Sequence, residues 1–183
     1  DYLNFKHKIK NSYLNSNIND ENMSFVYTLQ KLLRFNEKSF LKSINTFKGL
    51  PHRYEIFLNK KNSVFINDSK ATTFEATKFA LKNTKNIFWI LGGLPKANDK
   101  INLHKLKKNI IKSYIIGKNV NFFKKQLKRK VHYEVCVNLK KSIIQIFKDI
   151  KLFKKKNNSI LLSPASASFD QYQNFEKRGN EFK

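Results

Sequence analysis

Three short stretches concentrate residue types that hold anions. They are Asp68-Ser69-Lys70-Ala71-Thr72-Thr73, Gly92-Gly93-Leu94-Pro95-Lys96, and a run of small residues, Ser163-Pro164-Ala165-Ser166-Ala167-Ser168, that passes through Phe169-Asp170-Gln171-Tyr172 to Phe175 and Gly179. A lysine beside hydroxyls at the start of a helix can grip a carboxylate or a phosphate. A Gly-Gly pair lets the backbone turn sharply or approach a ligand closely. Small side chains after a strand leave backbone N–H groups open to a ligand. Each stretch also has a plain alternative: an N-cap by Ser69 or Thr72 with Lys70 merely exposed, an ordinary turn at Gly92-Gly93, and a ligand-free strand-to-helix connection after Ser163. Together with Phe47-Lys48-Gly49-Leu50-Pro51-His52-Arg53, these loops hold all three Pro and at least three of the five Gly. Special backbone geometry is therefore concentrated where the candidate chemistry lies.

The elements that must position these loops follow from periodicity. Ser159-Ile160-Leu161-Leu162 and Ile87-Phe88-Trp89-Ile90-Leu91 are continuous apolar runs of the kind buried in parallel sheets. Tyr54–Leu58 and Val64–Asp68, with a turn over Asn59–Asn62, predict a β-hairpin. Further strands are expected at Tyr114–Gly117 and Val131–Val135. Helices are expected after Thr73, over Leu103 to about Ile111, over Val120–Leu127, from the cap Asn138 through Ile150, and near Asn174. Alternating strands and helices predict an α/β fold with a Rossmann-like, doubly wound, mostly parallel sheet, in which the candidate loops share one sheet edge. Ahead of it, residues 1–18 alternate weakly and suggest one or two strands. Asn19-Asp20-Glu21-Asn22 opens a helix, with capping as the plain role of both asparagines, and a second helix is expected from Glu37 to about Thr46. Gly49 and Pro51 mark a boundary, with one domain over 1–48 and another over 49–183.

The balance of 37 Lys+Arg against 13 Asp+Glu gives a net charge of +24. Such a charge suits a nucleic-acid binder. Yet the basic residues are nearly all Lys, scattered with Asn, Ile and Phe, and Arg occurs only at 34, 53, 129 and 178. Bidentate base readout favours arginine, so the charge reads as a compositionally biased, solvated surface. The competing reading is a basic module whose binding depends on Lys124, Lys125, Lys128 and Arg129. The single Cys136 excludes an internal disulfide, and no apolar run is long enough to span a bilayer. The chain begins at Asp1 with neither an initiator Met nor a signal-peptide pattern, as if cut from something longer.

The stretch from Ser163 to Gly179 closely resembles the C-terminal signature of the Mur ligase family of peptidoglycan synthesis, in the branch that adds D-glutamate. Sister ligases that add other amino acids share the fold but not this segment. Four further places resemble the same family in the same order. Asn19-x-x-Asn22 resembles a helix start of the central ATPase domain, and the resemblance implies that both asparagines contact the nucleotide. Gly49-Leu50-Pro51-His52-Arg53 resembles the start of the C-terminal domain, with Arg53 implied to reach ATP. Asp68 falls on the acid implied to bind the adenosine ribose. Lys70, which the resemblance also makes catalytic, and Thr72, Lys96, Ser168, Phe169 and Phe175 fall on the D-glutamate contacts. The implied activity is ATP- and Mg2+-dependent amide formation between UDP-N-acetylmuramoyl-L-alanine and D-glutamate through an acyl phosphate. It implies a cytoplasmic monomer with small-molecule partners, no specific nucleic acid and no membrane. Ile18 stands where the family pattern has a His, and Leu94 where some members carry an acid. No Gly-x-x-Gly-Lys-Thr phosphate loop occurs, so the resemblance implies a C-terminal fragment, inactive alone and without metal ligands of its own. Rival readings are a sister Mur or folylpolyglutamate-type ligase and a free-standing interaction domain.

Overall fold

A computed structural model describes all residues except 12, 17, 18, 61 and 155. Ile18, Lys61 in the expected hairpin turn, and Lys155 in the polar stretch before the last strand thus lie outside the described residues. The chain divides into two compact units, Asp1–Gly49 and Leu50–Lys183.

The first unit is helical. It contains α1 (Tyr2–Lys6), α2 (Asp20–Leu32) and α3 (Glu37–Thr46). The strands expected within residues 1–18 do not form among the described residues; Asp1 caps α1 instead, its carboxylate accepting from the Leu3 amide at 3.0 Å. A local cap and burial of Phe5 outweigh weak alternation. Phe5, Ile9, Met23 and Ile44 form the core of this unit. The Asn36 carboxamide caps α3 by accepting from the Ser39 amide at 3.0 Å.

The second unit is built on a six-stranded sheet of order β1-β2-β6-β3-β4-β5. The strands are β1 (Glu55–Lys60), β2 (Ser63–Asn67), β3 (Ile87–Gly92), β4 (Ile110–Ile116), β5 (Tyr133–Val137) and β6 (Asn158–Leu162). β1 and β2 form the expected antiparallel hairpin, and β2, β6, β3, β4 and β5 run parallel. Every residue of β3 and β6 is buried, because helices or loops cover both faces. Ile87, Trp89 and Leu91 pack on one face with Phe74, Ala80 and Leu81 of α4 (Phe74–Asn83) and with Phe123 and Leu127 of α5 (Val120–Leu127). Phe88 and Ile90 pack on the other with Leu139 and Ile146 of α6 (Leu139–Phe153) and Phe182 of α7 (Phe175–Phe182). Each such side chain contributes about 1.5–3 kcal/mol when fully buried. Asn138 and Asn174 cap α6 and α7, their side-chain oxygens accepting from the Lys141 and Lys177 amides at 2.9 and 2.8 Å.

The helix expected from Leu103 to Ile111 is absent. A short 3₁₀ turn over Lys107–Asn109 leads directly into β4, which starts at Ile110. Ile110 pairs with Ile87 and Tyr114 with Ile90, and sheet pairing of this β-branched segment overrides the local lysine-rich helical pattern. β5 also begins later than expected, at Tyr133 rather than Val131.

Candidate functional site

β2, β6, β3 and β4 are parallel neighbours, so their C-terminal ends lie along one edge and the loops that follow meet there. The loop after β2 docks on the loop after β6: the Asp68 amide donates to the Leu162 carbonyl at 2.8 Å and the Ala165 amide to the Ala71 carbonyl at 3.0 Å. The loop after β3 joins the same group. The Gly92 amide donates to the Pro164 carbonyl at 3.0 Å, and Leu94 and Ala167 exchange hydrogen bonds at 2.8 and 3.1 Å. The Ala165 and Ala167 amides are thus spent between loops rather than held open for a ligand. Small side chains here let backbones touch. At Gly93, with φ of 134°, a Cβ would collide with the Ala167 carbonyl and the Ser166 hydroxyl.

Lys70 is exposed, and its ammonium stands over the Phe175 ring, 4.9 Å from the centroid. That cation–π contact holds two expected site residues together. Thr72 is half-buried, and its amide donates to the Lys70 carbonyl at 2.9 Å. Neither Ser69 nor Thr72 caps α4. Thr73 does so, accepting from the Ala76 amide at 3.3 Å, while the Ser69 hydroxyl donates to the Phe175 carbonyl at 2.8 Å. Lys96 is exposed and lies two residues beyond Leu94; Ser168, buried, and Phe169, 70% exposed, directly follow Ala167. The Leu94–Ala167 pairing therefore brings the segments bearing these three residues side by side.

Asp68 is 8% exposed. It accepts from the Ser163 hydroxyl at 2.7 Å and the Tyr54 amide at 3.1 Å. Burial pushes its carboxyl up to about 6, against the opposing pull of those two hydrogen bonds and the charge of exposed Arg53. A carboxylate has lone pairs beyond two acceptances, so a hydroxyl-bearing ligand beside Arg53 fits this pair. Asn19 and Asn22 belong to the other unit. The Asn19 carboxamide donates to the Tyr13 carbonyl at 2.8 Å and makes no cap bond, and Asn22 is exposed in the first turn of α2. Among the described residues no three His, Cys, Asp or Glu side chains cluster as metal ligands.

Sequence reasoning missed the residues that hold these loops from behind. Arg178 is 1% exposed and donates to the Ser69 and Ser166 carbonyls and the Ser69 hydroxyl at 2.9–3.2 Å. Buried Asn67 donates to the Gly179 carbonyl at 2.9 Å and lies 3.0 Å from His52 Nδ1. Arg178 stands in a polar stretch, Glu176-Lys177-Arg178-Gly179-Asn180-Glu181, so its rarity in a chain with four arginines was the available signal.

The fold and the loop cluster define an α/β domain with a cationic, hydroxyl-bearing site on the C-terminal edge of a parallel sheet. No family model matches the chain. It is 38% identical over 169 residues to the UDP-N-acetylmuramoylalanine--D-glutamate ligase of Wolbachia sp. subsp. Brugia malayi, covering 92% of this chain and 34% of that protein. It is 39% identical over 145 residues to the ligase of that name from Rhizobium meliloti, covering 79% and 31%, and 31% identical over 182 residues to that of Rickettsia bellii, covering 100% and 40%. Over this length the chain belongs to the Mur ligase family. It spans about a third of the length of the curated relatives it matches. Among the described residues no helix is long and apolar enough to cross a membrane.

Proposed function

We propose that the second unit is the D-glutamate-binding part of an ATP-dependent ligase that extends UDP-N-acetylmuramoyl-L-alanine in the cytoplasm during peptidoglycan precursor synthesis. The observation that carries this is the loop cluster: two exposed lysines, Lys70 and Lys96, arise from loops laced to the serine-rich loop after β6. The names of the relatives support the same substrate. In this reading a dicarboxylate amino acid is held by fixed cations, with Lys70 and Lys96 pairing its carboxylates. Thr72 and Ser168 add hydroxyl donors, and Phe169 and Phe175 cover the ligand's methylenes.

ATP supplies the phosphoryl group that turns the acid substrate into an acyl phosphate. Arg53 then stands as the cation for phosphate oxygens and Asp68 as the acceptor for a ribose hydroxyl. Lys70, beside the amine of bound glutamate, orients it for attack on the activated carbonyl; the nitrogen forms the amide bond and phosphate leaves. The enzyme works as a monomer on small molecules, with no specific nucleic acid.

Titration of the isotopically labelled 183-residue chain with D-glutamate should shift the amides of Lys70, Thr72, Lys96 and Ser168. L-glutamate should do so more weakly. The chain alone should release no ADP in a D-glutamate-dependent assay. Absence of any D-glutamate shift would remove the reading, and turnover by the chain would overturn the division of labour.

A further inference from the structure

We propose that Arg178 is a positioning residue whose buried guanidinium sets the spacing between the loops after β2 and β6, and with it the geometry of the anion-binding groups they carry. The proposal rests on the D-glutamate reading for its consequence, though not for its geometry. One planar group spans both loops. Nη2 donates to the Ser69 carbonyl at 2.9 Å and the Ser166 carbonyl at 3.1 Å, Nη1 to Ser166 again at 3.2 Å, and Nε to the Ser69 hydroxyl at 3.1 Å. Ser69 immediately precedes Lys70, and Ser166 lies two residues before Ser168. Arg178 itself sits on α7, whose first residue, Phe175, is the ring beneath the Lys70 ammonium. The clamp therefore reaches three of the segments that would surround the ligand.

The charge of this clamp is the telling feature. All its acceptors are neutral, and Arg178 has no ion pair among the described residues. The neighbouring carboxylate, Asp170, accepts from the Lys118 amide at 2.8 Å. A buried cation without a bonded carboxylate is costly, and fastening alone is achieved as well by neutral or apolar groups. A cation kept behind loops that present lysines and hydroxyls outward makes the whole edge favour an anion. Lysine is no substitute, because a point donor does not reproduce the planar fork that bridges two carbonyls.

The test is amide hydrogen exchange and D-glutamate titration on the full chain, with R178A and R178K. In both variants the Leu94, Ala165 and Ala167 amides should exchange at least tenfold faster while those of β3 and β6 stay protected. D-glutamate affinity should fall at least tenfold, and millimolar guanidinium should restore both properties in R178A but not in R178K. Unchanged loop exchange in the folded variants would overturn the proposal whatever the ligand does. Global unfolding of both would also overturn it, because Arg178 would then hold the domain rather than the loops. Normal exchange effects with no D-glutamate binding by the wild-type chain would sink the glutamate reading and leave the clamp standing.

Discussion

Replacing Asp68 by Asn should stabilise the second unit at neutral pH. The wild-type carboxyl is buried and titrates at about 6 instead of the ordinary 3.8, burial being the largest cause. A rise of about two units corresponds to about 3 kcal/mol. The sign follows from which state holds the proton. Below about pH 4 both folded and unfolded chains are protonated here, and the favourable contribution is complete. As pH climbs through about 6 the folded state must ionise a buried group, and that contribution is lost. Asparagine carries no charge and retains the local bonds: its oxygen accepts from the Tyr54 amide, and its NH2 donates to the Ser163 hydroxyl, which can turn its proton to Thr77 Oγ1, 3.0 Å away. Urea unfolding followed by Trp89 fluorescence isolates this unit, since Trp89 is the only tryptophan and donates to the Ser163 carbonyl at 2.8 Å. The variant should gain up to about 3 kcal/mol at pH 7.5, about 1 kcal/mol at pH 4.5 and almost nothing at pH 3. A difference that does not change with pH, or a less stable variant at pH 7.5, would refute the argument. A carboxylate retained at such a cost is what a ligand-binding role would explain.

Gly179→Ala drives a Cβ into the His52 imidazole, and should cost about 1–3 kcal/mol. In a His52→Ala background the cost should shrink, so fully additive losses in a double-mutant cycle would show that the ring is not the obstacle. Lys70→Ala and Lys96→Ala should each weaken D-glutamate binding about tenfold or more, the worth of one charge-assisted hydrogen bond; calorimetry showing wild-type affinity in both would exclude them as carboxylate partners. Lys112 holds Glu134 at 2.6 Å and Asp149 at 2.7 Å against the sheet. Lys112→Met should therefore cost about 2–4 kcal/mol in urea unfolding at pH 7, and no loss would mean that the Tyr114 hydroxyl, 2.7 Å from Asp149, suffices.

The parallel sheet was legible because its signals are local. Ile87–Leu91 and Ile160–Leu162 are unbroken apolar runs, and Asn138 and Asn174 stand one residue before their helices with side chains that cap them. Lys70, Lys96 and the small-residue stretch could be placed at strand ends for a related reason, since each closely follows an apolar run. The segment from Leu103 to Ile111 misled, since its leucines and lysines match a helical period while Ile110 is claimed by pairing with β3. That choice depends on a strand more than twenty residues away, which no local pattern contains.

Tertiary structure alone decided how the loops meet. The order β2-β6-β3 inserts the last strand between two earlier ones, so the stretch after Ser163 falls between the loops of Lys70 and Lys96. No spacing in the chain encodes that insertion, because it follows from which apolar strand buries best at the sheet centre. The burial of Asp68 and Arg178 belongs to the same level: a charged residue reads alike in sequence whether exposed or enclosed, and only the packing of distant loops removes its water.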